Sequence, residues 1–206
     1  MKAQFMPYKD DNPSKSFPIV TISLIAVNVI VFIWSLTNFD NTIATYGFVP
    51  ANFVLLTIFT SMFLHGGIDH IFGNMLFLHI FGDNVEDKLG KVKYLIFYLL
   101  AGLSAALVHF LTGPSSTIPT IGASGAISGV LGAYIVFFPR VRVRTFSFGF
   151  SGSVPAYIMI GLWFLMQLVF GSVSLIGGTG SGIAFWAHVG GFAFGFLVAL
   201  VYRKFS

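Results

Sequence analysis

The stretch that decides the fold is G-A-S-G-A-I-S-G-V-L-G, which runs from Gly122 to Gly132 and opens an apolar segment that ends at Pro139. Its glycines at Gly125, Gly129 and Gly132 recur at intervals of four and three residues, so they share one face of a helix. Small residues on one face let a neighbouring helix approach closely inside a membrane. The stretch therefore predicts a tightly packed helix, and it raises the question of why two serines lie among the glycines.

A matching pattern occurs near the end of the chain, where His188, Gly191 and Gly195 follow intervals of three and four residues. Two small-residue faces of this kind favour close contact between the two helix backbones. We therefore expect these helices to pack together, with Ser124 within reach of His188.

The amino-acid composition indicates whether this protein is surrounded by water or by lipid. Hydrophobic residues make up 56% of the 206 residues, charged residues only 9%, and the mean hydropathy is +0.88. Soluble domains carry about 25% charged residues, so the composition predicts a membrane protein with room for one compact bundle. The absence of cysteine excludes disulfides, thiolate metal ligands and a cysteine nucleophile.

Six segments are long and apolar enough for membrane-spanning helices, which need about 20 residues. They are 18–36, 69–86, 92–112, 121–138, 154–171 and 183–202. The loop 37–68 contains an apolar run at 53–64 that is too short to span, and this run predicts an interfacial or re-entrant segment. We therefore predict an all-α, six-transmembrane-helix bundle, with a short tail at 1–17 and a single domain at 18–206.

The lysines and arginines set the orientation of the six predicted spans. They are Lys2, Lys9, Lys15, Lys88, Lys91, Lys93, Arg140, Arg142, Arg144, Arg203 and Lys204. All eleven fall on one side, whereas the opposite loops at 37–68, 113–120 and 172–182 contain none. This asymmetry predicts that both termini are cytoplasmic and that the protein is multi-pass in a prokaryotic inner membrane.

Four polar side chains share one depth in the predicted bundle. Ser124, His188, Asn74 and His70 lie 14 to 18 residues before the basic residue that ends their own span. At about 1.5 Å per residue this is about 21–27 Å above the inner charges, which places the four toward the outer face. Polar residues inside a membrane are costly and indicate function.

The chemistry available to this layer is nucleophilic catalysis. A serine hydroxyl is a weak nucleophile until an adjacent base takes its proton, and His188 has a suitable side chain for that base. Ser124 lies at a predicted helix start, where backbone N–H groups have no intrahelical partner and can stabilise an oxyanion. His70 and Asn74 can add side-chain donors. None of the seven acidic residues lies near the middle of a span, so we predict a Ser–His dyad rather than a triad.

Three segments carry a resemblance to a known family. G-A-S-G at 122–125, A-H-V-G-G-F-A-F-G at 187–195 and H-G-G-I-D-H-I-F-G-N at 65–74 resemble the signature segments of the rhomboid intramembrane serine proteases. F-G-D-N-V-E-D-K-L-G at 81–90 is also similar to that family. The resemblance covers the whole predicted six-helix core.

The resemblance implies roles for individual residues. Ser124 matches the nucleophile, His188 its base, and His70 and Asn74 the oxyanion side chains, while His65 matches a histidine that supports the loop before span 2. The implied function is endopeptidase cleavage of transmembrane protein substrates within or near the lipid bilayer. It implies no cofactor, metal or nucleic acid, and the sequence carries no signal for an oligomeric state.

Two positions depart from the family pattern. Many relatives place a tyrosine, stacked on the catalytic histidine, four residues after the nucleophile, whereas this chain has Ser128. The Trp-Arg pair common in the first outer loop of the family is also missing from 37–68. The sequence therefore leaves open what orients His188.

Access to the site is predicted from the loop 172–182, which contains four glycines. Such a loop is flexible, and we expect it to cap the site while span 5 moves aside for a substrate. An ordinary glycine-rich connection is the alternative.

Other functions fit the sequence less well. A metalloprotease needs H-E-x-x-H and an aspartyl protease needs two mid-span aspartates, and the sequence contains neither. His79 and His109 lie at other depths than the polar layer, which argues against a zinc site. A transporter or channel would need paired charges or broken helices at the midplane. A catalytically inactive rhomboid-like protein that binds membrane proteins is the remaining alternative.

Overall fold

The computed structural model describes residues 6–147, 150–177 and 184–205, and within these ranges the protein is mostly helical. Its helices are α1 (Ile19–Ser35), α2 (Phe39–Tyr46), α3 (Leu55–Ser61), α4 (Ile68–Leu89), α5 (Lys91–Thr112), α6 (Ser124–Phe137), α7 (Ala156–Gly177) and α8 (Phe185–Phe205). Each segment predicted to span a membrane overlaps one helix, although α4, α5 and α8 extend by one to three residues beyond the predicted bounds. The two short helices α2 and α3 lie in the predicted outer loop.

Three helices in the described part of the chain, α5, α7 and α8, are long and apolar enough to cross a membrane. The apolar helices α1 and α6 have 17 and 14 residues, and α4 carries polar residues along its 22. Helix α6 starts later than the predicted span at 121–138 because Gly122 adopts a left-handed φ of 121°. The six-span arrangement remains a prediction.

A three-stranded antiparallel sheet corrects the all-α prediction. Strands β1 (Met6–Asp10), β2 (Arg142–Ser147) and β3 (Phe150–Pro155) lie in the order β1-β2-β3. The physical reason is an alternation of period two in β2, where Val143 and Thr145 are buried while Arg142 and Arg144 are exposed. The predicted tail thus contributes a strand, and the basic stretch predicted as a loop contributes another.

The sheet lies at one end of the bundle, because β1 packs on α4 and β2 follows the end of α6. Lys88, Arg140 and Arg203 line a common cavity at this end, which we call the basic end.

Asp10 joins the sheet to the helices by accepting hydrogen bonds from the hydroxyl of Tyr134 and the amide of Asn84. Burial raises the pKa of the Asp10 carboxyl.

Helix α7 differs from the predicted span at both ends. It begins at Ala156 rather than at residue 154, because β3 continues to Pro155. It ends at Gly177, so the first six residues of the predicted loop 172–182 are helical. Three of these residues, S-V-S-L-I-G, are apolar and the only glycine is the last one, which is why the helix continues through them. Residues 178–183 of the predicted cap lie outside the described residues.

Helix α6 lies in the core and packs against α4, α5 and α8. Along the glycine faces, α6 and α8 meet backbone to backbone: a Cβ on Gly191 would lie 1.9 Å from the carbonyl oxygen of Gly125, and one on Gly195 would lie 1.9 Å from that of Gly129. The predicted close packing of the two glycine faces is therefore confirmed. We call this contact the glycine seam.

At the basic end, hydrogen bonds to Glu86 connect the start of α1 to α4. Its carboxylate accepts hydrogen bonds from the backbone N–H groups of Val20 and Thr21, at 3.0 and 2.8 Å, and from the Thr21 hydroxyl at 2.8 Å. The first N–H groups of a helix lack intrahelical partners, and a carboxylate is also favoured there by the helix dipole. Glu86, which is 1% exposed, thus caps α1 from inside the bundle.

Replacing Glu86 with alanine leaves these buried donors without partners. We expect the free energy of unfolding to fall by about 3 kcal/mol or more, measured by denaturing titration in detergent micelles. The matched control is Asp87→Ala, since Asp87 also accepts from the N–H groups of Lys15 and Ser16, but at an exposed position. Its loss should stay below about 1 kcal/mol. Equal losses in the two variants would contradict the burial argument.

Candidate active site

Ser124 is the first residue of α6 and stands half-buried at the helix start. The chain reaches it through Gly122, whose left-handed φ of 121° suits glycine. The backbone N–H of Gly122 donates to the carbonyl of Ser61 at 2.9 Å, which fixes this turn against α3. Ser124 therefore lies at the N-terminal turn of a helix, where backbone N–H groups point outward.

His188 lies on the facing turn of α8, and its Nε2 is 2.8 Å from the Oγ of Ser124. The glycine seam explains this distance, because it starts within one turn of both side chains and keeps the two backbones in contact. Gly191 is three residues after His188, and Gly125 directly follows Ser124. The side chains of Ser124 and His188 therefore meet at the end of the glycine seam.

The other side of the His188 ring contacts α7, which sequence reasoning did not connect with the site. Nδ1 of His188 lies 2.9 Å from Oε1 of Gln167. The ring of Trp163, one turn earlier on α7, is tilted over the imidazole with 5.9 Å between ring centroids. A signal was available in the sequence, because Gln167 is a polar residue inside the predicted span 154–171.

Ser128 does not take the place of the tyrosine found in relatives. It is 1% exposed, and its hydroxyl donates to the backbone carbonyl of Ser124 at 2.6 Å. Its partner is thus the helix itself, as is common for serine in helices. The ring that covers His188 comes from Trp163 on a different helix.

His70 faces Ser124 across Gly122. A Cβ on Gly122 would lie 2.8 Å from Nε2 of His70 and 3.7 Å from Oγ of Ser124. The backbone N–H of Gly66 donates to Nδ1 of His70 at 3.2 Å. This bond occupies the Nδ1 lone pair, so the ring proton of the neutral imidazole is on Nε2, which faces the serine. His70 is therefore a hydrogen-bond donor toward the site.

Asn74 lies one turn after His70 and is 7% exposed. Its Nδ2 donates to the backbone carbonyl of His70 at 2.8 Å, which uses one of the two amide protons.

His65 is fully buried and packs edge-on against His70, with 5.1 Å between ring centroids. Burial lowers the pKa of His65 to about 4, so this ring is neutral at neutral pH.

The remaining histidines lie apart from this cluster. Nε2 of His109 is 2.8 Å from the hydroxyl of Thr120, and His79 lies nine residues after His70 on α4. Across the parts of the chain that the structure covers, no three side chains among His, Cys, Asp and Glu come together as metal ligands.

Fold and site together define a helical membrane protein with a serine–histidine pair at the interface of two helices. The model of the Rhomboid domain matches residues 52–205. The chain therefore belongs to the rhomboid family, whose members are membrane-embedded helical bundles, and the resemblance seen in the sequence is confirmed.

Several relatives extend this match. The rhomboid-family protein YdcA of Bacillus subtilis (strain 168) is 24% identical over 191 residues, which cover 90% of this chain and 88% of the relative. Rhomboid protease AarA of Providencia stuartii is 28% identical over 210 residues, covering 89% and 72%. Rhomboid protease GluP of Bacillus subtilis (strain 168) is 32% identical over 142 residues, covering 69% of this chain but only 25% of the longer relative.

Proposed function

We propose that this protein is an intramembrane serine endopeptidase that cleaves transmembrane proteins with a Ser124–His188 dyad. The observation that carries the proposal is the 2.8 Å distance between Nε2 of His188 and Oγ of Ser124. This is the hydrogen-bond reach that a base needs to take a proton from its nucleophile. Relatives named rhomboid proteases support the same reaction class.

The reaction begins when Oγ of Ser124 attacks the carbonyl carbon of the scissile peptide and its proton passes to Nε2 of His188. The carbonyl electron pair moves to the oxygen, which becomes an oxyanion. When the tetrahedral intermediate collapses, the C–N bond breaks and the leaving amine takes the proton from Nε2. A water molecule then attacks the acyl ester in the same way, which releases the acid and returns the proton to Ser124.

The oxyanion requires donors aimed at the place where its charge develops. In this proposal the donors are the backbone N–H at the start of α6, Nε2–H of His70 and the second amide proton of Asn74. Gly122 keeps the space between His70 and Ser124 open, because a Cβ there would lie 2.8 Å from the His70 ring. That space is where the substrate carbonyl binds.

The proposed setting is a bundle of six spans in a prokaryotic inner membrane. Its basic end faces the cytoplasm, because Lys88, Arg140 and Arg203 gather there and positive charge favours that side. Ser124 starts α6 at the opposite end of that helix from Arg140, so the site opens toward the outer face. Substrates are transmembrane proteins that reach the dyad from the lipid bilayer, and a metal or cofactor has no step in the reaction.

A serine-reactive fluorophosphonate probe tests the nucleophile directly. Membranes with the wild-type protein should be labelled, whereas those with Ser124→Ala or His188→Ala should not be labelled. Ser128→Ala is the matched control, since it removes a serine one turn along the same helix and should leave labelling intact. Equal labelling of wild type and Ser124→Ala would overturn the proposal. Wild-type protein that captures a substrate without reacting would favour the catalytically inactive alternative.

A further inference from the structure

Gln167 is a buried polar residue on the apolar helix α7. It is 8% exposed, whereas Leu165, Met166 and Val169 around it are about half exposed. An uncharged amide inside an apolar helix is costly unless it is hydrogen-bonded. Its partner is His188, at 2.9 Å from Oε1 to Nδ1. The polar side chain of Gln167 thus points from α7 into the bundle and contacts Nδ1 of His188.

This contact fits one of the two neutral tautomers of His188. To take the proton of Ser124, Nε2 must hold a free lone pair, so the proton of the neutral ring must be on Nδ1. An amide oxygen accepts a hydrogen bond and cannot donate one, so Oε1 of Gln167 stabilises the Nδ1–H tautomer. In metal and serine sites a carboxylate or carbonyl commonly has this orienting role. In the described part of this chain the contact on Nδ1 is an amide.

Trp163 and Gln167 both contact the His188 ring from one face of α7. They are four residues apart on α7, so both side chains point toward α8. The indole tilts over the imidazole at 41°, while the amide meets its edge. Ser128, on α6, turns its hydroxyl away to the carbonyl of Ser124. Both contacts that restrain the His188 ring on the side away from Ser124 therefore come from α7.

We propose that Gln167 is a positioning residue that holds His188 in its reactive tautomer and orientation. This inference rests on the proposed function. Gln167 touches neither the substrate nor Ser124, and it acts through His188 alone. Because the residue belongs to α7, the base is oriented only while α7 is packed against α8.

The test compares three variants of the full-length protein in liposomes that contain a transmembrane substrate. Gln167→Met keeps the size of the side chain but removes the acceptor, and we expect kcat to fall about 10- to 100-fold with KM within about twofold. Gln167→Glu restores an acceptor, recovers most of the rate and moves the acidic limb of the pH–rate profile to higher pH, because a carboxylate stabilises the imidazolium. The matched control is Met166→Leu, an exposed neighbour on α7, which should behave as the wild type.

A second readout reports the tautomer directly. In protein with ¹⁵N-labelled histidine, the His188 ring should carry its proton on Nδ1 in the wild type and lose this preference in Gln167→Met. A merely structural role would not produce this change at unchanged thermal stability. If Gln167→Met does not fold, the wild-type spectrum still decides, because an Nε2–H tautomer there overturns the proposal.

The two proposals fail in different ways. Proteolysis that survives in Ser124→Ala overturns the proposed function. Loss of proteolysis in Ser124→Ala together with wild-type kcat and pH profile in Gln167→Met overturns only the role of Gln167.

Discussion

We expect cleavage of a transmembrane substrate to be at least about 10³-fold slower in the Ser124→Ala and His188→Ala variants than in the wild type. The reason is that in the proposed dyad the nucleophile and the base act as one unit across the 2.8 Å contact between α6 and α8. Removing either group leaves the other without a partner for proton transfer. The double variant should therefore be no slower than either single variant, because the loss is not additive.

The measurement is the initial rate of cleavage in liposomes at substrate concentrations above and below KM. Both single variants should fold and bind substrate as the wild type does, since the two side chains are only half-buried. The Ser128→Ala variant is the control for cavity formation in α6. Losses in the two single variants that multiply in the double variant would show independent roles and refute the dyad.

Replacing Gly191 with alanine should lower the free energy of unfolding by more than about 4 kcal/mol and abolish cleavage. The added Cβ would lie 1.9 Å from the carbonyl oxygen of Gly125 and 2.9 Å from its carbonyl carbon. Both atoms belong to backbone, so no side chain can turn away and the helices themselves must separate. Because Ser124 precedes Gly125 directly, the separation also lengthens the contact between Ser124 and His188.

The matched control is Gly161→Ala on α7, where an added Cβ meets nothing within 4 Å. This change also replaces a glycine inside a helix, and it should be neutral or stabilise the protein by up to about 1 kcal/mol. Thermal unfolding in detergent and the cleavage assay check both variants. A Gly191→Ala protein as stable as Gly161→Ala would contradict the glycine seam.

The parts of the fold that depend on local pattern were predictable from the sequence. The lengths of the apolar segments predicted where the helices lie. The spacing of Gly125, Gly129, Gly191 and Gly195 predicted the close contact between α6 and α8. The depth count groups Ser124 with His188 and His70 because all three lie on spans that are predicted to run in the same direction. It does not include Gln167, since the span of α7 is predicted to run in the opposite direction and α7 has no basic residue in its last turn to count from.

The sheet was missed for a different physical reason. Strand β1 is five residues long, and its pairing with β2 joins positions more than 130 residues apart, such as Pro7 with Thr145. A short segment gains its structure from such a partner rather than from its own propensity. The basic residues of β2 indicate orientation, and their alternation with Val143 and Thr145 also indicates a strand.

The glycine seam also has a genetic consequence. Every amino acid other than glycine carries a Cβ, and at Gly191 and Gly195 that single carbon already meets backbone at 1.9 Å. Any substitution at the first or second base of a glycine codon changes the amino acid or stops translation, so these codons tolerate silent changes only at their third base. In a saturation library, these two positions should retain glycine alone among functional clones, as strictly as the position of Ser124 retains serine.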